Sequence, residues 1–193
     1  MPQVYEKEIV YDYPAAHTLL WLMRKYPNPQ SPQVFSVDTI SRTMDPDTGV
    51  VRSERILGIK QGAPKWITKL FSLPQTTYVR EVIFIDPAKD QATMMSMNLD
   101  LAQYINVLEY ITYTPFPREQ GGTAPSTLFR QHALMHSAFP TRMIARRIEK
   151  ASVDRFKSNA ETGKMGFDWV LRKGLEFSGN VKGNGNGNGA SLA

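Results

Sequence analysis

The sequence predicts an α+β fold in which helices pack on one face of a curved antiparallel sheet. Two observations support this prediction. Strand-like segments follow one another in a long series, between a short helical segment near the start of the chain and a long one near its end. The connections between neighbouring strands are short and rich in turn residues, which favours antiparallel pairing and helices gathered on one side of the sheet.

The first two predicted elements are a strand and a short helix. Val4–Tyr11 has the composition of a strand. Pro14 is suited to the first turn of a helix. The apolar residues that follow it recur at helical spacing: Ala16, Leu19, Leu20 and Met23. Pro27 and Pro29 prevent the helix from continuing, because proline lacks a backbone N–H and its ring blocks the preceding turn.

Six further strands are predicted between the two helices: Val34–Arg42, Val50–Ile59, Thr77–Ile85, Thr93–Leu99, Ile105–Thr114 and Thr127–Ser137. Turn residues such as Asp45-Pro46-Asp47-Thr48-Gly49 separate them. Within Thr93–Leu99, Met95 and Met97 alternate with Ser96 and Asn98. This alternation is typical of a sheet that has one apolar face.

The last predicted element is a long helix, Thr141–Leu175, with Ile144, Ile148 and Ala151 on one stripe. The chain then becomes rich in glycine and asparagine and has little to bury. We therefore predict one folded domain over residues 1–175 and a disordered tail over residues 176–193.

Composition limits the classes of function. The chain has 193 residues, of which 41% are hydrophobic and 21% charged, as in an ordinary globular protein. No apolar run is long enough to cross a bilayer, and the start of the chain shows no targeting signal. A net charge of +5 favours an anionic partner, either nucleic acid or acidic lipid headgroups. The absence of cysteine excludes disulfides, thiolate zinc sites and cysteine nucleophiles.

Catalytic motifs are not found in the sequence. His132 and His136 share a strand face, but no third metal ligand can be identified. The chain contains no Gly-x-Ser-x-Gly elbow, His-Glu-x-x-His helix or phosphate-binding loop, and its acidic residues form no recognisable catalytic pair. The sequence therefore predicts no enzyme, no catalytic residue, no metal and no cofactor.

Arg55 is the most informative single residue, because it shares a strand face with Leu57 and Ile59. A guanidinium group on an apolar face stays charged and needs an anionic partner there. Two explanations are open. One is an internal salt bridge to Glu81 or Glu109, and the other is an anionic ligand.

Two more cations raise the same question. Arg155 follows Ile148 and Ala151 at helical spacing on the long helix, and Lys25 stands at the end of the first helix. For each alone, a solvated side chain is the ordinary interpretation. If Lys25, Arg55 and Arg155 point into one cavity, they form a binding site for a phosphate-bearing headgroup, because Arg and Lys are the natural donors to phosphate oxygens.

The segment between Pro64 and Pro74 has the composition of an interfacial membrane contact. As a short helix it would place apolar side chains on one face with two lysines beside them: Lys65, Trp66, Ile67, Lys69, Leu70 and Phe71. Each lysine near an anionic surface contributes roughly 1 kcal/mol. A helical turn packed on the sheet is the alternative.

Several distinctive segments follow one another along the chain: Tyr26-Pro27-Asn28-Pro29-Gln30-Ser31-Pro32-Gln33-Val34 continuing to Arg42, Arg55-Ile56-Leu57, Pro64-Lys65-Trp66, Asn98-Leu99-Asp100, Glu109-Tyr110-Ile111-Thr112-Tyr113 and Arg155-Phe156-Lys157-Ser158-Asn159. Their order resembles the PRELI-like family of phospholipid transfer proteins of the mitochondrial intermembrane space. The resemblance covers about residues 1–175.

The resemblance implies a seven-stranded antiparallel curved sheet, with a long C-terminal helix and shorter helices enclosing a lipid cavity. Residues 64–74 then match a lid over its mouth, and Lys25, Arg55 and Arg155 match basic residues that bind the lipid headgroup. The family also implies a small helical partner with paired Cys-x9-Cys motifs. Gln33 and Thr162 depart from the family pattern, since they replace a histidine and a lysine.

We therefore predict non-enzymatic transfer of an acidic phospholipid by a protein that is peripheral to membranes of the intermembrane space and binds no nucleic acid. Motifs around Ser31–Arg42 favour phosphatidic acid, whereas Lys60–Trp66 and Thr162–Phe167 resemble the phosphatidylserine branch. Two rival functions are a membrane-docking scaffold that carries no lipid and a hydrolase that uses His132 and His136.

Overall fold

The computed structural model describes residues 2–60, 68–69, 72–116 and 125–183, with side chains described up to residue 177. The elements in these ranges are β1 (Gln3–Tyr11), α1 (Ala15–Leu22), β2 (Val34–Met44), β3 (Val51–Lys60), β4 (Thr76–Asp86), β5 (Gln91–Asn98), β6 (Asn106–Phe116), β7 (Ser126–His136) and α2 (Arg142–Gly183). The predicted α+β class is confirmed. Every predicted strand is present, with bounds within two residues of those observed.

The seven strands form one antiparallel sheet in the order β1-β7-β6-β5-β4-β3-β2. Strand β1 lies at one edge of the sheet, and its neighbour there is β7, with Gln3 opposite Met135. At the other edge, β2 has register irregularities between Val34 and Ser36 and again further along the strand. Irregularities of this kind bend a strand, which contributes to the curvature of the sheet.

Helix α1 begins at Ala15, so Pro14 occupies the N-cap position and not the first turn. Its buried residues are Ala15, Thr18, Leu19 and Leu22, whereas Leu20 is 69% exposed. The predicted apolar stripe was therefore partly wrong. The buried hydroxyl group of Thr18 forms a hydrogen bond with Oγ1 of Thr127 at 2.9 Å. This bond offsets the cost of removing the hydroxyl group from water.

Helix α2 packs against the inner face of the sheet and completes the core in two clusters. The larger cluster joins inner strand residues with α1 and with the later turns of α2: Ile9, Tyr11, Leu19, Leu22, Ile83, Ala92, Met94, Ile111, Tyr113, Phe129, Phe167, Val170 and Leu171. The smaller cluster is Tyr5, Ala133 and Met135, packed against Val153, Phe156 and Ala160. The two helices meet closely at Gly174, where an added Cβ atom would lie 2.3 Å from the Trp21 ring.

Helix α2 begins one residue later than predicted and continues past Leu175 to Gly183. Residues 184–193 lie outside the described part of the chain. The predicted division into a domain (1–175) and a disordered tail (176–193) stays a prediction.

Strand β5 shows the predicted alternation, but Ser96 and Asn98 share the inward side of the strand with the buried Ala92 and Met94. Met95 is 44% exposed, whereas Ser96 and Asn98 line the space beneath α2. The register places Ser96 opposite Glu109 of β6 and Met95 opposite Tyr110, which is also exposed. An inner face with polar side chains indicates that the interior is not entirely an apolar core.

Candidate ligand-binding cavity

A cavity of about 310 Å³ lies between the inner face of the sheet and α2. Its wall is mainly apolar and includes Ile9, Leu57, Val79, Met94, Ile111, Phe129 and Phe156. A smaller number of polar side chains converge on it: Lys25, Ser31, Gln33, Glu81, Ser96, Asn98, Glu109, Gln131, Asn159 and Lys164. An apolar wall with a few convergent polar groups is typical of a site for a small amphipathic ligand.

Lys25 presents a charged group to this cavity from the turn that follows α1. Its Nζ lies 5.4 Å from the centroid of the Tyr26 ring and 5.8 Å from that of Phe167, distances at which aromatic faces attract a cation. Burial lowers the pKa of Lys25, but neighbouring tyrosines and the Glu81 carboxylate raise it, and the net direction is upward. Among the described residues, no carboxylate forms an ion pair with Lys25.

Arg55 is buried, and its guanidinium group is already paired inside the protein. Its Nε donates to Oε1 of Glu81 at 2.6 Å, and its Nη2 lies 2.5 Å from the same oxygen. Its Nη1 donates to the carbonyl oxygen of Met23 at 3.2 Å. Burial raises the pKa of Glu81, against the lowering effects of Arg55 and Lys25. The internal salt bridge, one of the two explanations open at the sequence level, is therefore the one observed.

The position of Arg55 explains how the fold places Lys25. Arg55 lies opposite Glu81 in the register of β3 and β4, and Glu81 lines the cavity while Arg55 sits behind it. Met23 is the C-cap residue of α1, where carbonyl groups lack helical partners. By donating to that carbonyl, Arg55 ties the end of α1 to β3, and Lys25 follows two residues later.

Replacing either partner of this buried pair is expected to destabilise the protein. Arg55→Leu leaves the Glu81 carboxylate without its counter-ion, which costs about 3–5 kcal/mol, and Glu81→Leu has a comparable cost. The double variant is expected to recover most of the loss. Urea unfolding of the four proteins measures the coupling. Additive losses in the double variant would contradict a coupled pair.

Glu109 is a second carboxylate on the cavity wall. Ser96 donates its hydroxyl group to Oε2 at 2.6 Å, and the side-chain amide of Gln131 donates to Oε1. Both donors are neutral, and no described cation forms an ion pair with Glu109. Because Arg55 offsets Glu81, the remaining charged groups on the wall are Lys25 and Lys164 against Glu109, a net charge of +1.

Arg155 is not on the cavity wall. Its side chain is exposed, and α2 lines the cavity through Phe156, Asn159, Gly163 and Lys164. A step of one residue turns a helix by about 100°, so the stripe drawn through Ile148 and Arg155 passes beside the observed lining. Of the three predicted headgroup ligands, Lys25 is on the wall, Arg55 is behind it and Arg155 is outside it.

The predicted lid lies almost wholly outside the described residues. Lys65, Trp66, Ile67, Leu70 and Phe71 are not described, while Lys69 is described and exposed. A membrane contact through this segment stays a prediction.

The two strand histidines face outward and have carboxylate neighbours. His132 Nδ1 lies 3.1 Å from Glu6 Oε1, and His136 Nδ1 lies 3.8 Å from Glu149 Oε1. No group of three metal-ligating side chains occurs in the described ranges. Within those same ranges, no helix has the length and apolar character needed to span a bilayer.

Several polar residues of the wall were not predicted as site residues from the sequence, among them Ser96, Gln131 and Lys164. A signal for two of them was present. Ser96 and Gln131 occupy positions of strict alternation with outward residues, so their face is determined once the opposite face is known. Lys164 is different, because only the rotation of α2 about its axis brings it to the cavity.

Solved structures with unrelated sequences share this architecture. The crystal structure of TTHA0849 from Thermus thermophilus superposes with a TM-score of 0.56 at 10% identity, covering 89% of this chain and 98% of that one. The crystal structure of Ara h 8.0201 gives a TM-score of 0.53 at 12% identity, covering 89% and 99%. At such low identity the likeness shows the fold alone: a curved sheet covered by a long C-terminal helix.

The sequence identifies the family within that fold. Residues 20–178 match the PRELI-like family, and the chain belongs to it. The chain is 35% identical to Protein UPS2, mitochondrial, of Saccharomyces cerevisiae, over 88% of this chain and 73% of that protein. It is 32% identical to UPS-like protein C36.10 of Schizosaccharomyces pombe, over 89% and 90%. Family and relatives together assign it a lipid-transport role in mitochondria.

Proposed function

We propose that the protein carries one acidic phospholipid at a time between mitochondrial membranes and catalyses no covalent step. The observation that carries the proposal is the ammonium group of Lys25, which faces an apolar cavity without an ion-pair partner among the described residues. A phosphate group is the natural partner of such a cation. The apolar wall then takes acyl-chain surface out of water, which favours extraction from a bilayer.

Native mass spectrometry of the purified protein tests this proposal. We expect one phospholipid per chain, together with transfer of acidic lipid between liposomes. A docking scaffold would hold no lipid, and a hydrolase would release a cleaved lipid that disappears in His132→Ala and His136→Ala variants. Either result would overturn the proposal.

The choice of headgroup depends on Glu109. The motif resemblance favours phosphatidic acid, which needs only cations around its phosphate. Phosphatidylserine is the second candidate, and Glu109 favours it. The Glu109 carboxylate is bonded only to the neutral donors Ser96 and Gln131, so it can accept a hydrogen bond from a charged amino group. Phosphatidylserine carries such a group and phosphatidic acid lacks it.

Glu109→Gln separates the two headgroups. If phosphatidylserine is the cargo, the variant loses a charge-assisted hydrogen bond of about 1.5–3 kcal/mol, and transfer of phosphatidylserine falls at least tenfold relative to phosphatidic acid. If phosphatidic acid is the cargo, removing a negative charge near the phosphate leaves its transfer unchanged or faster. Liposome transfer assays with both lipids measure the ratio.

Location and partner complete the proposal. One of the relatives named above, Protein UPS2, is described as mitochondrial, which supports residence in the intermembrane space. We further propose that a small helical protein with paired Cys-x9-Cys motifs binds the chain there. Co-purification of the two proteins after co-expression is the expected result.

A further inference from the structure

The first turns of α2 carry an exposed basic surface that the cavity does not use. We define this basic surface as Arg142, Arg146, Arg147, Lys150 and Lys157, all of which are exposed. In the described part of the chain, none of them forms an ion pair. Of the two acidic residues in the same stretch, Glu149 is only 2% exposed, and its Oε1 accepts a hydrogen bond from the backbone N–H of Ser137 at 3.1 Å.

Part of the basic surface forms a groove. A concave space of about 530 Å³ is lined by Gln3, Arg146, Lys150, Val153, Asp154 and Lys157, and it shares no residue with the lipid cavity. Because Asp154 is the single acid of this groove and three of its six residues are cations, the groove is electropositive.

The basic surface lies at the end of the sheet where the β3–β4 connection begins and ends. The register brings Gln3, Met135 and Val107 into one row across β1, β7 and β6. The same row continues through Asn98, the last residue of β5, to Val79 and Leu57. Each of these two residues lies three positions from a residue that flanks the connection, Thr76 and Lys60. Helix α2 starts six residues after His136, the last residue of β7 at this end.

We propose that this basic surface docks the protein on an anionic lipid bilayer. Docking so oriented presents to the membrane the same end of the sheet, where Val79 and Val107 line the cavity. Lys and Arg near an anionic surface attract it additively, and the unpaired cations make the surface complementary in charge to such a bilayer. Met143 is 65% exposed among these cations, and an apolar side chain in a basic helical face is typical of interfacial contact. An acidic soluble protein matches the charge but leaves Met143 without a role.

Vesicle flotation with paired variants tests the proposal independently of cargo. The vesicles contain phosphatidylcholine alone or phosphatidylcholine with phosphatidylglycerol, which is neither candidate cargo. Arg146→Ala/Lys150→Ala removes two charges of the groove. Arg172→Ala/Lys173→Ala removes two exposed charges from the far end of the same helix and is the control. Because each cation near an anionic surface contributes about 1 kcal/mol, the loss of Arg146 and Lys150 is expected to weaken partitioning onto the anionic vesicles about 30-fold. The control variant should bind like the parent protein.

Each outcome decides the proposal. Selective loss for the Arg146/Lys150 variant, with an unchanged melting temperature and one phospholipid still retained in native mass spectrometry, supports it. Equal binding of both variants overturns it. Loss of the retained lipid in the Arg146/Lys150 variant assigns the surface to cargo binding and also overturns it. Binding of the parent protein to soluble polyglutamate but not to acidic vesicles assigns the surface to an acidic protein and overturns it as well. If the parent protein retains no lipid, the proposed carrier function is contradicted. The docking proposal is then judged by the flotation result alone.

Discussion

Lys25→Gln is expected to remove most lipid binding while leaving the protein folded. The ammonium group of Lys25 borders the cavity, and its contacts in the described structure are with aromatic faces and not with a carboxylate. Its replacement therefore breaks no ion pair. The variant loses a charge-assisted contact with phosphate, which is worth about 1.5–3 kcal/mol or a factor of roughly 10–100 in retention. Liposome transfer and native mass spectrometry measure this loss.

Two controls accompany the Lys25 variant. Lys25→Arg keeps the charge and should retain a substantial part of the activity. Lys173→Gln removes one positive charge from an exposed pair with Glu176 and should transfer lipid like the parent protein, because exposed pairs contribute little. Parent-level transfer by Lys25→Gln would place the phosphate elsewhere and remove the observation on which the proposed function depends.

Gly163→Trp is expected to abolish lipid uptake by filling the cavity. Gly163 lines the cavity from α2, and a Cβ atom built there meets no heavy atom within 4 Å. The first atom of a larger side chain at this position therefore meets no packed neighbour, in contrast to Gly174, where a Cβ atom would lie 2.3 Å from the Trp21 ring. We expect folded protein without bound phospholipid and at least a tenfold lower transfer rate, because the indole ring would take up space that the lipid needs in the cavity.

Gly163→Ala is the matched control. It adds only a methyl group, and replacing glycine by alanine inside a helix stabilises by up to about 1 kcal/mol. The expected result is a slightly higher melting temperature with near-parent transfer. If Gly163→Trp transfers lipid as fast as Gly163→Ala, the cavity beneath α2 is not the route of the lipid.

Much of the fold was predictable from the sequence because strands and turns depend on near neighbours. Alternation and turn residues such as Asp45 and Gly49 mark the strands to within two residues. The resemblance to the PRELI-like family added the prediction that the strands form one seven-stranded sheet and that the helices enclose a cavity. The inner face of β5 was harder to identify, because the cavity receives Ser96 and Asn98 on the same side of the strand as the buried Ala92 and Met94. The usual expectation is that only apolar side chains of a strand point inward.

The candidate site was only partly predictable. Arg55 was recognised as a cation that needs a partner, and Glu81 was one of two named candidates. The two residues are 26 positions apart in sequence, so their pairing required the β3–β4 register. Lys25 was recognised as one of three cations, but nothing local distinguished it from Arg55 and Arg155.

The sequence by itself determined the family, the order of strands and helices, and the presence of cations that an apolar interior must explain. Only the tertiary structure decided which cation is free to meet a ligand: Arg55 is neutralised by Glu81, Arg155 is turned outward by the rotation of α2, and Lys25 faces the cavity. The physical reason is that the electrostatic energy of a charge in a low-dielectric interior depends strongly on the distance to its nearest counter-charge. Strand register and helix rotation set that distance, and both are properties of the assembled fold.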